Sequence, residues 1–253
     1  MNASPPQVLV CRDAQIASQR VAELIRDSIR ANPRIVLGLA TGGTPVDTYR
    51  ELVRMHREEG LDFSQVTSFN LDEYIGLGPE HPQSFRFFMQ AQLFDHVNID
   101  PAKTFVPNGL GTDVEAEAAE YERRITSAGG IDLQLLGIGG NGHIAFNEPG
   151  STVDCRTRQI ELTDSTINAN ARFFQSIDQV PRTAVTMGIG TILEAKRIVL
   201  LAMGESKSAA IEQAVRGKLD SSNPASLLQT HNDVLFVLDN AAAKGLPSDS
   251  ATV

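Results

Sequence analysis

A nearly unbroken apolar run, residues 131–138, passes into four glycines within six residues, Gly137, Gly139, Gly140 and Gly142, and then into His143. A short run that does not alternate fits a strand buried on both faces, and such strands belong to parallel sheets covered by helices. The loop that follows has little side-chain bulk, which suits close backbone approach to a ligand. It lies just past the strand's carboxyl end, where open α/β sheets bind their ligands. Five residues after His143 comes Glu148, with Asn147-Glu148-Pro149 turning the chain back. This spacing predicts imidazole and carboxylate within hydrogen-bonding reach, a pairing that raises the imidazole's basicity and fixes its tautomer. Alone, the loop reads as an ordinary glycine turn; its companions decide otherwise.

The rest of the chain alternates. Strand signals fall at 7–11, 35–40, 66–71, 198–202 and 234–238, with a brief extended piece at 104–106. Helix signals fall at 13–31, from Thr44 to about residue 60, and at 84–97, 190–195 and 206–216. Val114, Ala118, Tyr121 and Ile125 mark one more helix by their three- and four-residue steps. The pattern predicts an open, mostly parallel sheet with helices on both faces, Rossmann-like, in one domain. Residues 151–183 are polar apart from an alternation at 159–163, and a loop of that length predicts a lid. The tail after Asn240 is expected to fray.

Composition removes several function classes. The net charge of −9 disfavours a nucleic-acid partner. Cys11 and Cys155 are too few for a disulfide framework and stand in no CxxC pair, so a reducing compartment, the cytoplasm, is expected, without a structural zinc site. The N-terminus has no basic-then-apolar leader pattern, and no apolar run reaches a membrane-spanning length.

Two further stretches carry chemistry. In Leu37-Gly38-Leu39-Ala40-Thr41-Gly42-Gly43-Thr44-Pro45 a buried strand feeds a Gly-Gly turn. Thr44 is predicted as the N-cap of the next helix, with Pro45 at its first position and Asp47 nearly completing a capping box. Free N–H groups there, with the Thr41 and Thr44 hydroxyls, make a site for a phosphate or carboxylate; a Walker loop is excluded because no GK[ST] follows. The other stretch is Phe69-Asn70-Leu71-Asp72-Glu73-Tyr74, where two carboxylates arrive as a strand ends. Neighbours near a strand end face opposite ways, so one of the pair is expected in the cleft. Shielded from water, it would have a raised pKa and serve as a general base.

Together Thr41-Gly42-Gly43-Thr44-Pro45, the run 69–77 and the run 139–149 resemble the glucosamine-6-phosphate deaminase (isomerase) family. Its patterns TGGTP, FN-[ML]-DEY-x-GL and GxGH-I-[AG]-FNEP occur here in order and in register, and the likeness extends over about residues 8–240. The resemblance implies a cofactor-free, metal-free conversion of glucosamine 6-phosphate and water to fructose 6-phosphate and ammonia. It assigns the base to Asp72, ring opening to His143 with Glu148 as partner, and phosphate binding to Arg172, Lys207 and the loop Thr41, Gly42, Gly43 and Thr44. At position 141 the family carries aspartate or asparagine; Asn141 holds a hydrogen bond but takes no proton at neutral pH, so an orienting role is expected. Some hexameric relatives bind an N-acetylated sugar phosphate through basic residues near position 160 and a longer tail. Here Arg158 is present but Ile160 is uncharged and the sequence stops at Val253, so such activation is expected to be absent or weak. Oligomeric state is left open. The alternatives are a galactosamine-6-phosphate deaminase, a hydrolase resembling 6-phosphogluconolactonase, and a non-catalytic sugar-phosphate sensor. The lactonase pattern continues as Thr-Ala-Ser-Leu after its histidine, unlike Ile144-Ala145-Phe146-Asn147 here.

Overall fold

A computed structural model describes residues 6–247 and 251–252. Its elements run β1 Gln7–Cys11, α1 Ala14–Ala31, β2 Val36–Leu39, α2 Val46–Glu59, β3 Thr67–Asn70, β4 Asp72–Tyr74, α3 Phe85–Gln92, β5 Thr104–Phe105 and α4 Val114–Ser127. They continue with β6 Leu133–Leu136, β7 Arg158–Glu161, α5 Asp164–Asn170, β8 Thr183–Thr186, α6 Ile189–Leu193, β9 Arg197–Ala202, α7 Ser208–Arg216, β10 Val234–Asp239 and β11 Ala251–Thr252.

The main sheet has the order β11-β1-β10-β9-β6-β2-β3-β5, and every pairing in it is parallel. The apolar run at 131–138 forms β6 in its middle, with all four strand residues buried. Gly38 on β2 stands opposite Gln134 on β6 in register. A Cβ on Gly38 would lie 2.0 Å from Gln134 Oε1, so only glycine admits that buried amide between the two strands. Helix α1 begins where Asp13 caps it, its carboxylate accepting from the Ile16 N–H at 2.9 Å. Its stripe Ala17, Val21, Ile25 and Ile29 is buried, and each valine or isoleucine so placed gains roughly 1.5–3 kcal/mol. Helix α2 stops at Gly60, whose φ of 70° is the left-handed conformation that closes helices.

Sheet order explains where the site lies. From β2 the chain moves outward to β3 and β5; from β6 it moves the other way, to β9 and β10. The crevice between the carboxyl ends of β2 and β6 is therefore a topological switch point. Two buried tyrosines brace the strand ends there. Tyr49 donates to the Ala40 carbonyl at 2.5 Å, and Tyr121 to the Asn70 carbonyl at 2.7 Å.

Several expectations change. Residues 151–183 are not one long irregular loop. The alternation at 159–163 yields β7, which pairs antiparallel with β8, and β8 with β4, in a separate three-stranded sheet. This small sheet and α5 enclose a second apolar cluster around Tyr74, Phe146, Leu162 and Ile167. Thr44 does not cap α2: the helix starts at Val46, Pro45 takes the cap position, and no side chain satisfies the first turn. Asp47, the expected box partner, pairs with Arg50 one turn along. The tail after Asn240 is anchored where it is described. Ala242 and Ala243 are buried, the Ala242 N–H donates to Asp239 Oδ1 at 2.7 Å, and β11 pairs with β1. No helix among the described residues is long and apolar enough to cross a membrane.

Candidate active site

A cavity of about 340 Å³ opens at the switch point. Thr41, Gly42, Gly43 and Thr44 line it from the end of β2, Asp72 from β4, and His143 from the loop after β6. Tyr74, Phe85, Phe146 and Phe174 form an aromatic wall, with Tyr74 4.8 Å from Phe85 and 5.7 Å from Phe146 between ring centres. Asn170 donates to the Tyr74 hydroxyl at 2.8 Å. A wider, shallower cleft of about 1320 Å³ lies between α4 and β7. It mixes surface cations and carboxylates and lacks Asp72 and His143, so the chemistry belongs to the smaller cavity.

The adjacent carboxylates separate as strand geometry requires. Asp72 faces the cavity and is 6% exposed. Burial, reinforced by the neighbouring Glu73 charge and only partly offset by the Thr41 hydroxyl, pushes its carboxyl up to about 8. Glu73 points away and accepts the Tyr74, Phe85 and Arg86 N–H groups at 2.9, 2.9 and 3.0 Å. The last two are unsatisfied donors of the first turn of α3, where Ser84 takes the Phe87 N–H. Glu73 is thus a helix anchor, and it fixes the strand that carries Asp72.

The histidine loop is tightly braced. The Gly139 N–H donates to the His143 carbonyl at 2.9 Å, and the Gly142 N–H to the Gly139 carbonyl at 3.1 Å. Asn147 donates through Nδ2 to the carbonyls of Ile144 and Met187, at 3.0 and 2.9 Å. Ala145, with φ of 51°, is the one non-glycine residue of positive φ among those described; local strain of this kind gathers at functional sites.

Behind the imidazole stands Glu148, 9% exposed. Its Oε2 accepts from Asn141 Nδ2 at 2.8 Å and lies 3.6 Å from His143 Nδ1. At that separation the pair is an electrostatic contact rather than a formed hydrogen bond. Asn141 also accepts from the His143 N–H at 3.2 Å, so its amide bridges the backbone of His143 and the Glu148 carboxylate. Burial pushes the Glu148 carboxyl up, but His143, Thr166 and Asn141 outweigh it and hold the group at about 2. Glu148 is therefore an anion through the physiological range.

Arg172 and Lys207 lie outside the lining of the cavity. Arg172 is exposed in the turn after α5, its guanidinium 4.7 Å from the centre of the Phe173 ring. Lys207 follows β9, and its ammonium is shifted down by burial and by the charge of Arg172. Two cations held as neighbours repel unless an anion joins them. Local sequence gave no sign of the aromatic wall, nor of two threonines that bond Glu148 from the far side, because both arise between distant segments. Among the described residues no three His, Cys, Asp or Glu side chains converge to hold a metal ion.

Residues 12–237 match the family model of glucosamine-6-phosphate isomerases and 6-phosphogluconolactonases. The chain belongs to this family. It is 53% identical to a glucosamine-6-phosphate deaminase of Clostridium perfringens over 238 residues, covering 94% of this chain and 98% of that one. A deaminase of the same name from Rhodopirellula baltica is 54% identical, with 94% of each covered. Among solved structures, a monomeric glucosamine-6-phosphate deaminase superimposes with a TM-score of 0.93 at 47% identity, over 94% of this chain and 99% of that one. A 6-phosphogluconolactonase from Trypanosoma brucei shares the fold, with a TM-score of 0.77 at 21% identity over 96% and 100% of the chains.

Proposed function

We infer that this chain is an enzyme that converts glucosamine 6-phosphate and water to fructose 6-phosphate and ammonia. The observation that carries the reading is a buried carboxyl poised near neutrality, Asp72, lining one cavity with His143 and the Thr41–Thr44 turn. His143, backed by Glu148, moves the proton between the ring oxygen and the C1 hydroxyl, opening the pyranose. Asp72 then takes the proton from C2, made acidic by the adjacent carbonyl; the electron pair left behind forms the C1–C2 double bond, and the carbonyl oxygen takes a proton from the C2 ammonium, giving an enol that bears a neutral amine. Return of the proton to C1 leaves a C2 iminium; water adds there, and ammonia departs as the ketone forms. A cationic amine on C2 favours the ionised form of Asp72, so substrate itself readies the base.

The phosphate is assigned to the turn at Thr41, Gly42, Gly43 and Thr44, with Arg172 and Lys207 as the paired cations. Binding energy gained there, far from C2, positions the reacting carbon. Arg172 rides on the segment after α5, so we assign residues 151–183 a closing motion that brings it over bound substrate. Free cysteines at positions 11 and 155 support a cytoplasmic setting. The test is incubation with glucosamine 6-phosphate and, separately, galactosamine 6-phosphate, measuring ammonia and ketose phosphate. Ammonia from the first and little from the second is expected; ammonia from neither overturns the reading.

A further inference from the structure

Glu148 has two oxygens with different neighbours. Oε2 meets Asn141 and His143, as described above. Oε1 meets α5: Thr166 donates its hydroxyl to it, and Thr163, the N-cap residue of that helix, lies 3.2 Å away. A hydroxyl carries one proton. Thr166 gives its own to Glu148, so Thr163 donates either to the same oxygen or to Thr166 Oγ1 at 3.3 Å. Thr166 is 5% exposed and does not line the cavity, so it touches neither the reacting atoms nor the phosphate site. Water has little access to replace its hydrogen bond.

We propose that Thr166, supported by Thr163, is a positioning residue for Glu148. By holding Oε1, the α5 hydroxyls prevent the carboxylate from rotating and keep Oε2 directed at Asn141 and the imidazole. The proposal rests on the reading of Glu148 and His143 as the acid–base pair, and it makes the placement of α5 a condition for their alignment. Other charged or titratable groups near Glu148 are Arg158 and Glu161 on β7 and Cys155 before it, which line the cleft on its outer side, and Asp164 at the start of α5. None of them is bonded to its carboxylate.

The experiment compares Thr166→Val with Thr166→Ser. In each, the His143 imidazole and the Glu148 carboxyl are titrated by NMR without substrate, and kcat and KM are then measured against pH. In Thr166→Val the Glu148 titration is expected to rise by about one unit or more, because a donor to the charged form is lost. At the same time kcat should fall by about tenfold while KM changes less than about twofold. Thr166→Ser should restore all of these. Thr166→Cys, of similar bulk but a weak donor, supplies the same comparison if the valine variant fails to fold. Unchanged titrations beside a lower Tm would overturn the proposal and leave Thr166 a packing residue. Shifted titrations in an enzyme that releases no ammonia would support the positioning role while removing the deaminase reading.

Discussion

At the residue scale the decisive quantity is the proton on Asp72. In an unfolded chain this carboxyl titrates near its ordinary value of 3.8, and in the folded protein at about 8. Between those values the native state holds a proton that the unfolded state has released, so the group makes stability fall as pH rises through that window. Asp72→Asn removes the dependence. The variant should melt nearly with the parent at about pH 4 and above it at about pH 9, by an amount on the order of a few kcal/mol, while deamination is lost. Thermal melts across that range check it, and parallel curves would refute the buried-acid account. For the active parent, kcat/KM should climb with pH toward about 8, because the free enzyme must ionise the base. Asn141→Asp replaces a donor to Glu148 with a second carboxylate, and sharing raises one pKa. The acid limb of the pH–rate profile should then move more than its maximum, as a full profile on both proteins would reveal. His143 and Glu148 could be singled out from the glycine loop past an apolar strand, and one of Asp72 and Glu73 from the end of another; the choice of Asp72 came from the family resemblance. The separation of Asp72 from Glu73 followed from strand alternation alone, whereas the cap that Glu73 provides for α3 depends on a turn twelve residues away.

At the element scale, β4 was hidden. Three residues, Asp72–Tyr74, are too few to show a period, and their pairing partner β8 lies more than a hundred residues on. The sequence therefore showed a strand ending where the structure starts a second sheet. The misplaced start of α2 has a different cause. Threonine before proline is a good local signal, but Thr44 belongs to the turn after β2 and lines the cavity instead of folding back on the helix. The histidine loop has its own vulnerability at Ala145, whose positive φ a β-branched side chain resists. Ala145→Val should destabilise the protein by roughly 1–3 kcal/mol and lower kcat, whereas Ala145→Gly should be close to neutral in stability. Denaturant titrations of the two variants decide between backbone strain and simple crowding of the cavity.

At the scale of the whole molecule, the parallel sheet was predictable from alternation; its strand order, and with it the switch point, was not, nor was the small sheet, whose three strands come from three separate regions of the chain. That small sheet bears on regulation. Arg158 is engaged with Asn147 Oδ1 at 3.0 Å and with the Arg156 carbonyl at 3.3 Å, and Ile160 packs against the apolar cluster around Tyr74. No cation stands at position 160 to receive a second sugar phosphate. Rate against glucosamine 6-phosphate concentration should accordingly be hyperbolic and unmoved by N-acetylglucosamine 6-phosphate; sigmoidal curves relieved by that compound would contradict the assignment.

The pairing of β1 with β10 and β11 sets the order of assembly. Strand β1 finds both its neighbours more than two hundred residues further along the chain, so Gln7–Cys11 has both edges bare until those segments are made. During that interval it is a ready partner for another strand. The strands β2, β3, β5 and β6 pair among themselves, but Asp72 stands on β4, whose partner β8 lies more than a hundred residues on. The candidate site and the closed edge of the sheet therefore both wait for segments that lie far along the chain.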